Sequence, residues 1–233
     1  MADQVIANVF TYDPAKDASP TYKSYEVPWK EYITVLEVLN YIFQEYEPIS
    51  LEYSCGQKCC GRCAVMVNAE PKFACFTVLK PGAATIEPLK GFPVIRDLVV
   101  DKAKFKSRLD AIDFEPQRTQ PLEDIPNIPR ATYEKIAFLK ECRECGMCHA
   151  VCPVTNEQYD AEKFSGPAAM MRIALRYYDV KDESDRVAQA VYEGLWECIM
   201  CGRCQDVCMM QLKHLEVLQE LRDAAEARGL KPA

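Results

Sequence analysis

Long apolar runs, a basic excess and histidine are all scarce in this sequence. No stretch approaches the roughly 18 to 20 apolar residues that a membrane helix needs, so we expect no direct membrane span. The net charge of −7 argues against nucleic-acid binding, which usually needs a basic face. The first residues contain no basic segment followed by an apolar run, so we expect no secretory signal peptide. No dinucleotide fingerprint, P-loop or nucleophile with an identifiable base is present, which excludes the common substrate-activating sites.

Cysteine, in contrast, is abundant and unevenly distributed. The chain has 13 cysteines in 233 residues: five lie between Cys55 and Cys75, four between Cys142 and Cys152, and four between Cys198 and Cys208. A secreted disulfide-bonded protein is typically shorter and has an even number of cysteines. In a reducing cytoplasm clustered cysteines more often hold metal, so metal binding is the favoured interpretation.

The first hundred residues show the order of elements expected of a β-grasp ferredoxin. Extended segments are predicted at residues 4–12, 22–27, 64–68, 73–78 and 85–89, with a hairpin between the third and fourth. Apolar residues then recur with helical spacing, and we expect one buried helix face formed by Val35, Val38, Leu39, Ile42, Phe43 and Tyr46. Thr34 and Glu37 predict a capping box at the start of this helix.

The remainder of the chain changes character. Residues 114–130 contain four prolines and indicate a linker or a wrapping connection. Helices are predicted at residues 168–175, with Pro167 as first helical residue, and at 185–196 and 212–227. The predicted fold class is therefore α+β. A plant-type ferredoxin domain (1–112) and a proline-rich linker (113–131) precede an α-helical two-cluster ferredoxin domain (132–233).

The first cysteine group has the spacing C-x4-C-x2-C followed by a distant fourth cysteine, which is typical of plant-type 2Fe–2S sites. The predicted ligands are Cys55, Cys60, Cys63 and Cys75. Gly56 and Gly61 let the loop curl closely around the cluster and direct N–H donors at sulfur. A zinc site or buried free thiols are the alternatives. Cys59 is not required by the spacing, so we interpret it as a spare thiol.

The second and third groups share the spacing C-x2-C-x2-C-x3-C of bacterial 4Fe–4S proteins. In such pairs the fourth cysteine of each group binds the other cluster. The predicted ligand sets are Cys142, Cys145, Cys148 and Cys208 for one cluster, and Cys152, Cys198, Cys201 and Cys204 for the other. Because this crossed ligation ties the groups together, we expect the domain not to fold stably without metal. Zinc binding and disulfides are the alternatives.

The remaining candidates have ordinary explanations. For His149, inside a cysteine loop, and His214, a supporting hydrogen bond or plain exposure is a simpler role than proton transfer. Met209 and Met210 are expected to pack against a cluster or a partner, and Trp196 to lie in the core. Three cluster motifs without substrate-activating residues predict a chain that moves single electrons, while flavin, hydride and proton chemistry belong to another subunit.

Three stretches without cluster ligands support a resemblance to a known family. They are Tyr12-Asp13-Pro14, residues 88–101 (PLKGFPVIRDLVVD) and Phe164-Ser165-Gly166-Pro167. Together with the order of the cysteine groups, they resemble the iron–sulfur subunit of succinate dehydrogenase and fumarate reductase over nearly the whole chain.

The resemblance implies an electron-transfer subunit of an oxidoreductase. A flavoprotein subunit would interconvert succinate and fumarate on FAD, next to the 2Fe–2S cluster. Electrons would then pass in single file to a quinone-reactive membrane subunit, with the cluster of Cys152, Cys198 and Cys204 nearest the membrane. The resemblance also implies a membrane-associated location, which we expect to be the cytoplasmic face.

Several departures from the family's usual pattern bear on the third cluster and on the quinone site. Most members lack a cysteine at the position of Cys201 and hold a 3Fe–4S cluster there, so we predict 4Fe–4S for this chain, with 3Fe–4S as the alternative. The usual quinone site takes a tryptophan and a histidine from positions that are occupied here by the Asn156–Glu157 region and by Ile199. Branches with an additional cysteine often pair with a subunit rich in CCG motifs, so the membrane partner is expected to be of this type or of the cytochrome b type.

Two other functions remain open from the sequence. In the first, the same relay serves a flavoprotein that oxidises glycolate or glycerol 3-phosphate, or that reduces an enoate other than fumarate. In the second, the chain is a free ferredoxin-like carrier, although the N-terminal domain and the insert from Pro153 to Glu197 exceed what a diffusing carrier needs.

Overall fold

The computed structural model describes residues 3–121, 124, 126–156 and 163–230. They form two compact units, called here the sheet unit (Met1–Lys102 with Arg143–Ala150) and the helical unit (Ala103–Cys142 with Val151–Ala233). The segment Arg143–Ala150, which carries two cysteines of the second group, therefore belongs to the sheet unit. The domain boundaries predicted at residues 112 and 131 stay predictions.

The sheet unit is built on a mixed five-stranded sheet with the order β2-β1-β5-β3-β4. Its strands are β1 (Gln4–Thr11), β2 (Thr21–Pro28), β3 (Ala64–Val67), β4 (Glu70–Phe73) and β5 (Gly82–Glu87). β1 pairs in parallel with β5, whereas the other neighbours are antiparallel. A two-stranded sheet of β6 (Val94–Arg96) and β7 (Val99–Val100) follows. This mixed sheet, followed by a helical second half, bears out the predicted α+β class.

Helix α1 (Val35–Glu45) has the predicted capping box. The Thr34 hydroxyl accepts a hydrogen bond from the Glu37 N–H (3.2 Å), and the Glu37 carboxylate accepts one from the Thr34 N–H (2.8 Å). Its buried residues are Val35, Leu36, Val38, Leu39 and Ile42. The expectation that Phe43 and Tyr46 complete this face is wrong: they are 57% and 52% exposed. Tyr46 is the C-cap, where the helical spacing no longer applies, and its hydroxyl donates to the Glu26 carbonyl (2.8 Å).

The predicted hairpin is present, but its second strand is wrong by three residues. Strand β4 spans Glu70–Phe73 instead of residues 73–78, because the turn uses only Asn68 and Ala69. Both have positive φ (49° and 65°), as a two-residue turn of this hand requires, and alanine gives no sequence signal for it. Residues after Phe73 turn back instead, since the N–H groups of Phe76 and Thr77 both donate to the Phe73 carbonyl. This turn holds Cys75.

Short helices dominate the rest of the structure. They are α2 (Ala103–Asp110), α3 (Arg130–Leu139), α4 (Met147–Ala150, in the sheet unit), α5 (Pro153–Asn156), α6 (Pro167–Tyr177), α7 (Arg186–Tyr192), α8 (Arg203–Asp206) and α9 (His214–Ala227). As predicted, Pro167 opens α6, which lies at the centre of the helical unit and contacts α2, α3, α7 and α9. Among the described helices, none is long and apolar enough to cross a membrane.

The helix predicted at residues 185–196 is interrupted. Asp185 caps α7, but Gly194 adopts a left-handed conformation (φ 87°), and a 3₁₀ helix follows at Leu195–Glu197. A Cβ at Gly194 would lie 1.9 Å from the Lys163 carbonyl oxygen, so only glycine fits this approach. The last predicted helix begins two residues later than expected, at His214.

The proline-rich connection begins as a strap along the helical unit, defined here as residues 113–119. The Arg186 guanidinium donates to the carbonyls of Asp113 (3.1 Å) and Glu115 (3.3 Å), and the Arg176 guanidinium donates to the Phe114 carbonyl. Arg186 also forms a buried ion pair with Asp182, 2.7 Å apart and with side chains 3% and 1% exposed. A wrapping connection therefore describes this segment better than a free linker.

We expect Asp182→Asn to destabilise the helical unit by about 3 to 5 kcal/mol, because it leaves a buried arginine without its partner charge. Burial raises the pKa of Asp182, but hydrogen bonds from Arg186 and the Ser184 N–H outweigh it and place that pKa below its ordinary value. The stabilisation is therefore present above the ordinary carboxyl pKa and is lost as the pH falls through the lowered one. Urea unfolding followed by far-UV circular dichroism measures both effects.

Asp185→Asn is the matched control for this substitution. Asp185 pairs with Arg228 (2.6 Å), but both side chains are nearly half exposed, and an asparagine still caps α7. We expect a loss below about 1 kcal/mol. Equal losses in the two variants would contradict the role given to the buried pair.

Candidate iron–sulfur sites

The loop of the first cysteine group directs backbone donors at sulfur. The Cys55 Sγ accepts hydrogen bonds from the N–H groups of Gln57 (3.4 Å), Cys59 (3.3 Å) and Cys60 (3.2 Å). These donors, led by Gln57, lower the pKa of Cys55 to about 6. The loop therefore stabilises the thiolate form of Cys55 by backbone hydrogen bonds alone. A thiolate is the form in which cysteine binds iron, so Cys55 is a suitable cluster ligand.

The other predicted 2Fe–2S ligands lie close to Cys55 and to one another. The thiol of Cys60 contacts Cys55, and that of Cys63 contacts Cys75, whose Sγ accepts a hydrogen bond from the Lys58 N–H (3.3 Å). Burial raises the pKa of Cys63 to about 12. The structure thus brings the four predicted residues together, and the donor set fits the predicted group.

Cys59, the cysteine outside the predicted set, has an exposed side chain, while its N–H donates to Cys55. We therefore expect Cys59→Ala to leave the 2Fe–2S content and its EPR signal unchanged, because the backbone donor remains. Cys60→Ala is the comparison and is expected to lose the cluster. Loss of the 2Fe–2S signal in Cys59→Ala would overturn the ligand assignment.

Within the sheet unit, the first cysteine loop lies against the second cysteine group. A Cβ at Gly61 would lie 2.9 Å from both the Cβ and the carbonyl oxygen of Arg143, and 3.0 Å from the Cβ of Cys145. Gly61 also has positive φ (71°). This glycine therefore allows two predicted cluster-binding loops to touch.

The ligands predicted for the middle cluster fall in both units. Cys145 and Cys148 belong to the sheet unit, where the Lys102 ammonium donates to the Cys145 carbonyl (3.3 Å). Cys142 and Cys208 belong to the helical unit, and the Cys208 Sγ accepts a hydrogen bond from the Leu212 N–H (3.4 Å). Their ligation stays a prediction from the spacing.

The four cysteines predicted for the third cluster surround one cavity in the helical unit. The cavity is lined by Cys152, Cys198, Cys201 and Cys204 and by mainly apolar side chains, including Val154, Phe164, Pro167 and Leu218. Burial raises the pKa of the Cys198 and Cys204 thiols, to about 12 for Cys204, and their neighbouring thiols raise it further. The cysteines thus line a common apolar space, which fits a cluster. Among the described residues, no three His, Cys, Asp or Glu side chains are arranged to hold a single metal ion.

One residue near this cavity was missed from the sequence. The Arg222 guanidinium, on α9, donates to the carbonyls of Leu195 (3.1 Å) and Cys198 and lies over the Trp196 ring (5.4 Å). Its positive charge partly offsets the effect of burial on the Cys198 pKa. The sequence did contain a signal for this role. Arg222 lies one helical turn after the buried Leu218, so it is a charged residue on the otherwise apolar face of α9.

The two histidines and Trp196, the other candidates from the sequence, make contacts with protein groups. The His149 ring lies against Phe92, with ring centroids 5.0 Å apart and the ring planes tilted by 37°. His214 is 1% exposed, burial lowers its pKa, and its Nδ1 lies 3.0 Å from the Leu212 carbonyl oxygen. The Trp196 indole N–H donates to the Leu230 carbonyl (3.1 Å). Met209, Met210 and Asn156 are half-buried, and Glu157 lies outside the described residues.

Two family models match the chain. The model of a 2Fe-2S iron-sulfur cluster binding domain matches residues 6–107, and that of a 4Fe-4S dicluster domain matches residues 138–212. The predicted cofactor types are thereby confirmed, in the predicted order along the chain. The assignment of individual cysteines is not tested by these matches.

Curated relatives cover most of the chain. The fumarate reductase iron-sulfur subunit of Mycobacterium tuberculosis is 32% identical over 99% of this chain and 96% of that protein. A fumarate reductase (CoM/CoB) chain of Methanothermobacter marburgensis is 34% identical over 96% of this chain, but only 45% of that protein. The chain thus spans less than half the length of some curated relatives that it matches.

A solved structure has the same fold. A chain of the Mycobacterium smegmatis Sdh1 complex in the apo form matches with a TM-score of 0.89 and 24% identity, covering 100% of this chain and 99% of that one. The predicted order of a ferredoxin-type domain and a helical domain is confirmed by this likeness and by the family models.

Proposed function

This chain belongs to the family of iron–sulfur subunits of succinate dehydrogenase and fumarate reductase, and from that premise we propose that it relays single electrons within such a complex. It would pass them between an FAD-containing flavoprotein subunit and a quinone-reactive membrane subunit. The observation that best supports a relay is the contact of Gly61 with Cys145, because it brings two cluster-binding loops together within the sheet unit.

We propose the ligand sets in the order of electron flow that the resemblance implies. Cys55, Cys60, Cys63 and Cys75 would hold the 2Fe–2S cluster, and Cys142, Cys145, Cys148 and Cys208 the middle 4Fe–4S cluster. Cys152, Cys198, Cys201 and Cys204 would hold the third cluster, as 4Fe–4S. When bound, such clusters supply one-electron carriers whose potentials depend on hydrogen bonds and exposure.

The chain's own residues would position these carriers and control their surroundings. The N–H groups of Gln57 and Cys60 donate to Cys55 and stabilise negative charge on its sulfur. Apolar side chains such as Phe164 (0% exposed) line the third site on its buried side. Arg222 places a positive charge beside Cys198. None of these groups is arranged to activate a substrate, which supports a non-catalytic, electron-transferring role.

The membrane association of the chain would come from its partner. We propose a location on the cytoplasmic face, bound to a membrane subunit of the CCG-motif or cytochrome b type. Ile199, at the position where the family's quinone site has a histidine, is 47% exposed beside the third-site cysteines. This apolar replacement supports an altered route to quinone.

The proposal is tested on the complex purified anaerobically from its native membranes. We expect a co-purifying flavoprotein, succinate-dependent reduction of a dye, and about ten irons per chain from two-, four- and four-iron clusters. A Cys63→Ser complex should retain flavin reduction by succinate but lose electron transfer to quinone. A lone 26.5 kDa species without a flavoprotein would reject the subunit role.

A further inference from the structure

The two four-cysteine groups share a backbone pattern around their second cysteine. In each group, the second cysteine lies between two residues with left-handed backbone conformation. These are Glu144 (φ 47°) and Gly146 (φ 86°) around Cys145, and Met200 (φ 53°) and Gly202 (φ 80°) around Cys201. The two loops can therefore be compared position by position.

The Cys145 loop is closely covered by other parts of the sheet unit. A Cβ at Gly146 would lie 2.9 Å from Phe92 Cζ and 3.3 Å from Leu89 Cδ2, and Gly61 approaches the Cys145 Cβ as described above. Cys145 is consequently half-buried.

The Cys201 loop has almost no cover. A Cβ at Gly202 would meet only Leu215 Cδ1, at the ordinary contact distance of 3.4 Å. Cys201 itself is exposed, although Cys152 and Cys204, which line the same cavity, are each only 7% exposed. The third site is thus closed on the side of Cys152 and Cys204 and open at Cys201.

We propose that Cys201 holds an exchangeable ferrous ion at the solvent-facing corner of the third cluster. This inference rests on the proposed ligand set. A one-electron oxidant such as ferricyanide would take one electron from [4Fe–4S]²⁺, the bond between iron and the Cys201 sulfur would break, and Fe²⁺ would leave. [3Fe–4S]⁺ would then remain on Cys152, Cys198 and Cys204, and Cys201 would be left as a thiolate that can bind Fe²⁺ again when a reductant such as dithionite supplies one electron. The protein so acquires a redox-sensitive site for one metal ion.

The test uses the full chain, purified or reconstituted anaerobically and titrated with ferricyanide. We expect release of about one Fe²⁺ per chain to a ferrous chelator, together with a 3Fe–4S EPR signal, before the other clusters lose iron. Addition of ⁵⁷Fe²⁺ with dithionite should abolish that signal and introduce about one labelled iron, visible by Mössbauer spectroscopy. If the purified chain already shows a 3Fe–4S signal, the same addition must abolish it.

Two variants localise the released ion. Cys201→Ser should show the 3Fe–4S signal as purified and should release no further iron at low oxidant. Cys59→Ala removes an exposed cysteine that lies outside the proposed ligand sets, and it should still release the ion held by Cys201. Uniform iron loss from both four-iron clusters, or a 3Fe–4S signal that Fe²⁺ and dithionite cannot abolish, would overturn the proposal. The wild-type exchange stands even if a variant fails to fold.

The iron exchange at Cys201 can be tested independently of the proposed relay function. Iron release and relabelling need neither a flavoprotein nor a quinone, so a chain that fails to pair with a flavoprotein would still show the exchange. A complex that transfers electrons from succinate but shows no selective release would retain its function and lose only this inference.

Discussion

Gly194→Ala is expected to remove the third cluster from the purified protein and to destabilise the helical unit by about 2 to 5 kcal/mol. Gly194 has φ 87°, and its added Cβ would lie 1.9 Å from the Lys163 carbonyl oxygen and 2.9 Å from the Phe164 Cα. These are backbone atoms, so a change of rotamer cannot relieve the clash. Phe164 lines the third-site cavity, and its displacement would open that cavity.

The control for this substitution is Gly229→Ala. Gly229 also has positive φ (72°), but an added Cβ would have nothing within 4 Å. It therefore measures the cost of left-handed backbone alone, about 1 to 2 kcal/mol. Iron content, EPR and urea unfolding should separate the two variants. Similar stability and full third-cluster content in both would show that the approach of Gly194 to Lys163 is unimportant.

Elements that depend on a local sequence pattern were predicted correctly, whereas contacts between distant residues were not. The ligand spacing, the capping box of Thr34 and Glu37, and the opening of α6 at Pro167 are local patterns, and the structure has the cap and helix start where they were predicted. The predicted helix ran past the end of α7 although Gly194, just after the C-cap, is a local stop signal. The close approach of Gly194 to Lys163, which is distant in the sequence, has no such local signal.

The register of β4 shows a second limit of the sequence pattern. The sequence predicts an extended segment over residues 73–78, but the turn at Asn68 and Ala69 starts the strand earlier, and alanine rarely adopts positive φ. Helix α2 (Ala103–Asp110) was not predicted at all, since only Phe105 and Leu109 of it are buried and its remaining residues are mainly polar. Short elements held by tertiary contacts carry a weak periodic signal.

Gly61→Ala is expected to separate the first cysteine loop from the Cys145 loop. The added Cβ would lie 2.9 Å from the Arg143 carbonyl oxygen, which belongs to the backbone, and 3.0 Å from the Cys145 Cβ. We expect reduced content of the middle cluster and weaker magnetic interaction between it and the reduced 2Fe–2S cluster. The measurement is iron content, with EPR power saturation of the 2Fe–2S signal, because a nearby paramagnet speeds spin relaxation.

Gly56→Ala is the matched control, because it lies in the same loop and has nearly the same φ (67° against 71°), but an added Cβ would have nothing within 4 Å. It carries the cost of left-handed backbone without the collision. We therefore expect Gly56→Ala to retain the middle cluster and its interaction with the 2Fe–2S cluster. If both variants lose the interaction equally, strain within the loop is the cause. If neither loses it, the approach of Gly61 to Cys145 is not what sets the distance between the two carriers.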